Sequence, residues 1–174
     1  MKSLEELDFE LNLSPTNKVL LANTGSMTAL LEALFGPVSI ETVLQEITKA
    51  KPDIAAVLKI PVNEPINHRV VKIIAEKTIV YATSFAPLSA LSKDIREDIV
   101  KRDEPIGKIM EKHSMESRRE LLGFDWLKAD AAFAEIFGFL VDSILLKRKY
   151  NIIHQGKPLI SITEMFPSNL VQKI

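Results

Sequence analysis

Two predicted β-hairpins constrain the fold of this chain more than any other feature of its sequence. In the first, the segments HRVVKIIAE (68–76) and IVYATSFAP (79–87) are rich in β-branched and aromatic residues, and a short connection joins them. In the second, VDSILLKRKYNII (141–153) and PLISITEMFP (158–167) flank the turn HQGK, in which Gly156 permits a tight reversal. Hairpins pair antiparallel strands, so they argue against a parallel sheet of βαβ units.

Segments with a helical pattern lie around these hairpins. Residues 13–36 predict two helices with a break at NTGS, where Thr24 or Ser26 can cap the second helix. Apolar residues recur at helical spacing over 88–103, and PIGKIMEKH (105–113) predicts another short helix. We therefore expect an α+β fold in which helices pack on a single antiparallel β-sheet.

The remaining segments are less sharply patterned. VSIETVLQEI (38–47) predicts a strand, and ESRRELLGFDWLKAD (116–130) favours a strand while leaving a helix open. The segment 49–65 holds three prolines and is consistent with either a short helix or a strand turn. AAFAEIFGF (131–139) is ambiguous and favours a helical insert.

Composition narrows the class of protein. A length of 174 residues suits one domain that covers residues 1–174, and a formal net charge of -1 gives no field that would attract nucleic acid or an anionic membrane. The absence of cysteine excludes disulfides, thiolate metal sites and thiol nucleophiles. No apolar run is long enough to span a bilayer, and the N-terminal segment lacks the apolar core of a secretory signal. We expect a cytoplasmic protein.

Short motifs for cofactor and metal chemistry are absent from the sequence. The histidines, His68, His113 and His154, lack a second ligand at helical metal-site spacing, so we expect no metal and interpret them as surface or hydrogen-bonding residues. Neither phosphate-binding glycine motif occurs, and no nucleophile elbow is present, so no cofactor is implied. TGSMT places one glycine before a helix, which suits an ordinary N-cap turn or an anion site.

Two charged residues stand out because their predicted strand faces are otherwise apolar. Arg69 shares a face with valine and isoleucine, and Glu164 shares one with two isoleucines and a phenylalanine. Burial of a charge costs several kcal/mol unless it is paired, so either residue could instead reach water at the rim of the sheet. Arg118 and Arg119 form a second cationic group, for which a solvated basic pair is an equal alternative.

Five motifs in order give the sequence a family resemblance. GSMTALLE, HRVVKI, EPIGKIM, SRRELLGF and QGKPLISITEMFP lie between about residue 25 and residue 167. Together they resemble the chorismate lyase (chorismate pyruvate-lyase) family, most closely its archaeal-type members. The resemblance implies an antiparallel sheet whose helices and flap segments enclose a ligand pocket. It also implies conversion of chorismate to 4-hydroxybenzoate and pyruvate without metal or cofactor.

The resemblance carries site roles over to individual positions. Met27 and Ile106 match positions whose backbone contacts the ligand, with isoleucine at 106 where the family has leucine. Arg69 matches an arginine that pairs with the ring carboxylate, and Glu164 matches a glutamate near the product hydroxyl. We expect Arg69 and Glu164 to be the catalytic pair and to face one cavity, with their head groups about 10 Å apart on ordinary hydrogen-bond lengths.

Other parts of the match leave choices open. Arg118 or Arg119 falls where a further arginine meets the enolpyruvyl carboxylate, and the motif does not choose between them. The segment 124–143 departs from the bacterial pattern, which puts the shape of the flap in doubt. The spacing from Arg69 to Pro87 differs by about one residue from the family pattern, which allows a β-bulge.

The principal alternative is a non-catalytic domain that binds a small effector. The same fold serves in the ligand-binding domains of GntR-type transcription regulators, which also carry an N-terminal winged helix-turn-helix. The sequence leaves no room for that element before residue 25 and has no basic stripe, so we expect no nucleic acid partner. Oligomeric state and the pathway that consumes 4-hydroxybenzoate stay open.

Overall fold

The computed structural model describes residues 1–101 and 105–170 of the chain. Its elements, in chain order, are α1 (Leu4–Leu11), α2 (Pro15–Ala22), α3 (Met27–Phe35), β1 (Ser39–Lys49), α4 (Pro52–Leu58), β2 (Pro65–Ile74), β3 (Thr78–Pro87), α5 (Lys93–Lys101), α6 (Ile106–Lys112), β4 (Arg118–Lys128), α7 (Ala131–Phe137), β5 (Ile144–His154) and β6 (Lys157–Pro167). A short 3-10 helix, Leu88–Ala90, precedes α5.

The described strands form one six-stranded antiparallel sheet with the order β1-β2-β3-β6-β5-β4. The sheet therefore consists of a first half, β1 to β3, and a second half, β4 to β6, which meet where β3 pairs with β6. Each half contains one of the two predicted hairpins, β2–β3 in the first and β5–β6 in the second. The prediction of an antiparallel α+β fold is therefore confirmed. Among the described residues, no helix has the length and apolar character needed to cross a membrane.

The turn of the second hairpin is the one its sequence favours. Gln155 and Gly156 both have positive φ, 48° and 76°, as a two-residue type I′ turn requires. The turn leaves His154 opposite Lys157. Gly156 thus supplies the backbone freedom that the sequence predicts.

A β-bulge then changes the register of this hairpin. Ile153 lies opposite Pro158, but Ile152 lies opposite Ile160, so Leu159 is the extra residue of the bulge. Beyond the bulge, every residue of β5 lies opposite the β6 residue that is one position later in the sequence than its partner would be without the bulge. Because side chains alternate between faces, this single residue decides which side chains share a face.

Three further bulges lie in the described part of the sheet. The first falls between Thr42 and Leu44 on the edge strand β1. The second falls between Ile73 and Ile74, within the segment whose spacing allowed a bulge. Another lies between Leu121 and Gly123 on the edge strand β4. Gly123 has a φ of 140°, and a Cβ there would lie 2.8 Å from Met1 Cβ, so the site requires glycine.

The structure decides between the open alternatives for several segments. Ser26, rather than Thr24, caps α3, because its side chain accepts a hydrogen bond from the Ala29 N–H. The proline-rich segment 49–65 contains the short helix α4, the segment 131–139 contains α7, and 116–130 forms a strand. The helix predicted over 88–103 is shorter than expected, since α5 begins at Lys93; positions 102 and 103 lie outside the described residues.

The two faces of the sheet carry separate cores. On one face, here called the cavity face, α1, α2 and α3 pack over one end and α5 and α6 over the other. The opposite face is covered by α4 at one end and α7 at the other. The helices on the cavity face form two clusters rather than one continuous layer, and a cavity lies between them.

Candidate functional site

The cavity lies between the sheet and the first turns of two helices. Its floor is formed by alternate residues of β2, β3, β5 and β6, and its walls include Met27 at the start of α3 and Ile106 at the start of α6. It encloses about 600 Å³, with its mouth included. Most of its lining is apolar, and Glu164, Arg119, Tyr150 and Ser84 are among the polar side chains at its surface.

Met27 and Ile106 occupy the positions where a helix exposes backbone N–H groups. The first N–H groups of an α-helix have no partner within the helix. In α3 the Ser26 side chain accepts from Ala29, so the N–H groups of Met27 and Thr28 need other partners. Both walls of the cavity therefore combine apolar side chains with main-chain donors, as the family resemblance implies for these two positions.

Glu164 is buried, with 4% of its surface exposed, and lines the cavity. Its Oε2 accepts a hydrogen bond of 2.7 Å from Arg148 Nε, and its Oε1 accepts one of 2.9 Å from the Tyr150 hydroxyl. The interpretation of Glu164 as a carboxylate exposed at the sheet rim is therefore wrong. The buried charge is tolerated because a cation and a neutral donor satisfy both oxygens.

Arg148 is the residue that sequence reasoning missed. It is fully buried and lies directly opposite Glu164, and besides that ion pair its Nη1 donates to the carbonyls of Leu20, at 2.9 Å, and Asn23, at 2.7 Å. Arg148 thus joins the carboxylate in the sheet to the chain between α2 and α3. Its alternation with Leu146 and Tyr150 in β5 is the signal that could have indicated it.

Tyr150 lies next to this ion pair. Burial, and secondly the negative charge of Glu164, raise the pKa of the Tyr150 hydroxyl well above its ordinary value, although Arg148 and Arg119 act in the other direction. The hydroxyl therefore keeps its proton at neutral pH and donates to Glu164. The carbon at the centre of the Arg148 guanidinium lies 4.9 Å from the ring centroid, and that of Arg119 lies 5.9 Å away.

Arg69 is also buried, with 2% of its surface exposed, so the interpretation that it reaches into water from a strand end is wrong. Its Nη2 donates to Thr42 Oγ1 at 3.3 Å. Arg69 lies opposite Ser84 of β3, which in turn lies opposite Ile162 of β6. Since Ile162 and Glu164 are two residues apart, Arg69 and Glu164 point to the same face of the sheet, with β3 between their strands. Glu164 lines the cavity, whereas Arg69 is not among its lining residues.

The two arginines of SRRE, Arg118 and Arg119, lie on opposite sides of strand β4. Arg119 lines the cavity, and its Nη1 donates to the carbonyl of Thr24 at 3.3 Å. Arg118 is exposed, on the opposite side of the strand, and pairs with Glu120 at 3.4 Å. The structure thus brings Arg119 into the cavity and leaves Arg118 outside it, because strand residues alternate between faces.

The histidines form hydrogen bonds within the protein. His68 bonds to Glu46 at 3.0 Å, His113 bonds to Asp98 at 2.8 Å, and His154 bonds to a backbone carbonyl at 2.8 Å. Within residues 1–101 and 105–170, no group of three or more histidine, aspartate or glutamate side chains is placed to hold a metal ion.

Solved structures with a similar fold include effector and ligand-binding domains. The effector domain of PhnF from Mycobacterium smegmatis superimposes with a TM-score of 0.69 at 14% identity, over 83% of this chain and 90% of that one. The ligand-binding domain of a GntR-family regulator from Bordetella bronchiseptica gives a TM-score of 0.60 at 14% identity, over 75% of this chain and 84% of the other. At such low identity these similarities bear on the fold alone.

Sequence comparison gives a more specific answer. The protein named "Putative lyase MJ0807" from Methanocaldococcus jannaschii is 34% identical over 177 aligned positions, which cover 95% of this chain and 85% of that protein. The family model described as "Chorismate pyruvate-lyase Rv2949c-like" matches residues 21–173, a span that contains every residue assigned to the cavity. The chain belongs to the Rv2949c-like chorismate pyruvate-lyase family.

Proposed function

We propose that this protein is a chorismate lyase, which eliminates pyruvate from chorismate to give 4-hydroxybenzoate. One observation carries the proposal within the family: Met27, Ile106, Arg119 and Glu164, which come from four separate sequence motifs, line one mostly apolar cavity. Arg69 shares its sheet face. The site offers cations for carboxylates and a carboxylate for a hydroxyl, which are the polar groups that chorismate presents.

The proposed elimination requires the protein mainly to bind and orient chorismate. When the ether C–O bond breaks and the ring loses a proton, the ring becomes aromatic, so the driving force lies within the substrate. The protein needs to remove water, hold the reactive conformation and place charges. A mostly apolar cavity in which both oxygens of the buried Glu164 carboxylate already accept hydrogen bonds provides such a preorganised environment.

Each polar residue has a role in the proposed complex. Arg69 anchors the ring carboxylate through the bidentate geometry that a guanidinium favours, aided by N–H groups near Met27 and Ile106. Arg119 holds the enolpyruvyl carboxylate, and Arg118 has no contact with substrate. Glu164 orients the hydroxyl end of the ring or assists proton transfer. Arg148 provides the counter-charge that lets Glu164 stay in an apolar cavity.

A direct assay tests the proposal. The purified protein is incubated with chorismate, and 4-hydroxybenzoate formation is followed by absorbance; we expect turnover without added metal. Glu164→Gln should depress the rate while the protein stays folded, because the amide keeps one acceptor for Arg148 but loses the charge. An unchanged rate in that variant would leave Glu164 with a structural role only.

The same assay separates an enzyme from an effector-binding domain. Binding of chorismate or 4-hydroxybenzoate without turnover would favour the non-catalytic alternative, since the fold occurs in regulator domains. Turnover of chorismate would exclude it.

A further inference from the structure

The hydroxyl end of the proposed site contains two groups rather than one. Glu164 and Tyr150 both line the cavity, and the Tyr150 hydroxyl donates its proton to Glu164 Oε1 over 2.9 Å. The family resemblance assigned a role to Glu164 alone. The tyrosine follows from the structure, because the bulge in the second hairpin places Tyr150 on the cavity face, opposite Ile162.

The direction of this hydrogen bond determines what a ligand can meet. A phenol has one proton to donate and two lone pairs that accept. Since Glu164 accepts that proton and Arg148 supplies the neighbouring positive charge, the oxygen of Tyr150 is left as an acceptor. A ligand hydroxyl entering the cavity here can donate to it, whereas a ligand carboxylate has no proton to offer to the Tyr150 oxygen.

We propose that Tyr150 is a specificity-determining residue, which makes the Glu164 end of the cavity selective for a ligand hydroxyl through the relay ligand O–H to Tyr150 Oη and Tyr150 O–H to Glu164. This inference rests on the proposed function, because it concerns the 4-hydroxyl group of the expected product. It adds a direct contact between the ligand and Tyr150, with Glu164 acting through the tyrosine.

The phenyl ring of Tyr150 has a separate role from its hydroxyl. The central carbons of the Arg148 and Arg119 guanidinium groups lie 4.9 and 5.9 Å from the ring centroid, so the ring packs within cation–π distance of both arginines. Tyr150→Phe keeps this packing and removes only the relay. Tyr81 is a matched control, because it lies opposite Met165 and packs against Phe133 on the other face of the sheet.

The test measures the affinities of the wild-type protein, Tyr150→Phe and Tyr81→Phe for 4-hydroxybenzoate and for benzoate by calorimetry. We expect the wild type and Tyr81→Phe to bind 4-hydroxybenzoate more tightly than benzoate. In Tyr150→Phe, affinity for 4-hydroxybenzoate should fall about 5-fold, as expected for one neutral hydrogen bond, while benzoate affinity stays unchanged. Unchanged benzoate binding also shows that the variant is folded.

Several outcomes would overturn the inference. These are equal losses for both ligands in Tyr150→Phe, an unchanged preference for 4-hydroxybenzoate in that variant, or a wild type that does not distinguish the two ligands. The turnover assay with chorismate keeps the two proposals apart. If the protein turns over chorismate and Tyr150→Phe keeps the preference for 4-hydroxybenzoate, the relay is rejected and the proposed lyase function stands. If the preference depends on Tyr150 but chorismate is not turned over, the lyase function is rejected and the relay stands.

Discussion

The two halves of the sheet each bury one arginine in their middle strand, but they surround it differently. In the second half, Arg148 lies directly opposite Glu164, and the pair is joined by a hydrogen bond of 2.7 Å. In the first half, the residues opposite Arg69 are the neutral Ser84 and Gln45, and its Nη2 donates to Thr42. Both side chains point to the cavity face.

This difference shows that a buried arginine in this sheet does not by itself indicate a ligand site. The hairpin of the second half supplies a counter-ion for Arg148, and carbonyls of the α2–α3 segment accept from its Nη1, so we assign it an internal role, although its buried Nη2 has no hydrogen-bond partner. The role of Arg69 in anion binding comes from the family match and the shared sheet face. The predictions below distinguish the two arginines: substitution of Arg148 should lower stability, whereas substitution of Arg69 should weaken substrate binding.

The largest expected effect is on stability, from Arg148→Met. Removing this cation leaves Glu164 buried without its counter-ion, so the free energy of unfolding should fall by about 3–5 kcal/mol. Urea denaturation measures the loss, and Lys149→Met, on the opposite face of the same strand, is the matched control. Arg148→Met/Glu164→Gln should lose less than Arg148→Met alone, because the double variant buries no unpaired charge. A loss below about 1 kcal/mol for Arg148→Met would contradict an internal role.

Arg69→Ala should weaken the binding of substrate. Loss of a charged, bidentate partner for the ring carboxylate should lower kcat/KM for chorismate about 100-fold, from the usual worth of hydrogen bonds to charged groups. Benzoate affinity should fall in parallel, while Arg69→Lys should recover part of it because the charge is kept. Near-normal turnover at low chorismate concentration would show that Arg69 does not anchor the substrate, and circular dichroism would establish that the variant is folded.

The neighbouring arginines Arg119 and Arg118 give a matched pair. Arg119→Ala should raise KM for chorismate about 10-fold, because one partially solvated charged contact with the enolpyruvyl carboxylate is lost. Arg118→Ala should leave KM unchanged. Affinity for 4-hydroxybenzoate should be unaffected in both variants, since the product lacks that carboxylate. Equal effects of the two substitutions would show that the cavity position of Arg119 does not matter for substrate.

The smallest expected effect is a change in stability at alkaline pH. The pKa of Tyr150 is raised in the folded protein, chiefly by burial, so the folded state holds this proton more tightly than the unfolded chain does. Stability from this group is therefore complete below the ordinary tyrosine pKa of about 10 and declines as the pH rises further, by at most about 1.4 kcal/mol per pH unit. Urea titrations at successive pH values should show a shallower decline for Tyr150→Phe than for Tyr81→Phe, and identical declines would contradict the shift.

Much of the fold follows from local pattern. The two hairpins, the strand alternation and the cap at Ser26 each depend on residues that are close in sequence, and all of them agree with the structure. The helix α1 was not predicted, although Ser3 and Glu6 form a capping box at its start. That capping box is a local sequence signal that could have indicated α1.

The pairing in the candidate site was much harder to predict. With an unbulged turn at Gly156, residue 148 would lie opposite Thr163, and Glu164 would meet Lys147; the extra residue Leu159 moves Arg148 opposite Glu164. No local signal in the sequence distinguishes these registers. The sequence could therefore indicate that Glu164 needed a partner, but only the sheet register could identify Arg148 as that partner.

The central claim is that one cavity holds the aromatic ring between Arg69 and the pair formed by Glu164 and Tyr150. A crystal structure of the protein with 4-hydroxybenzoate tests it most directly. We predict that the ligand carboxylate lies within hydrogen-bond distance of Arg69 and that its hydroxyl lies about 2.7 Å from Tyr150 Oη, the usual O–H···O length. A ligand bound outside this cavity, or bound with its carboxylate toward Glu164, would contradict the account.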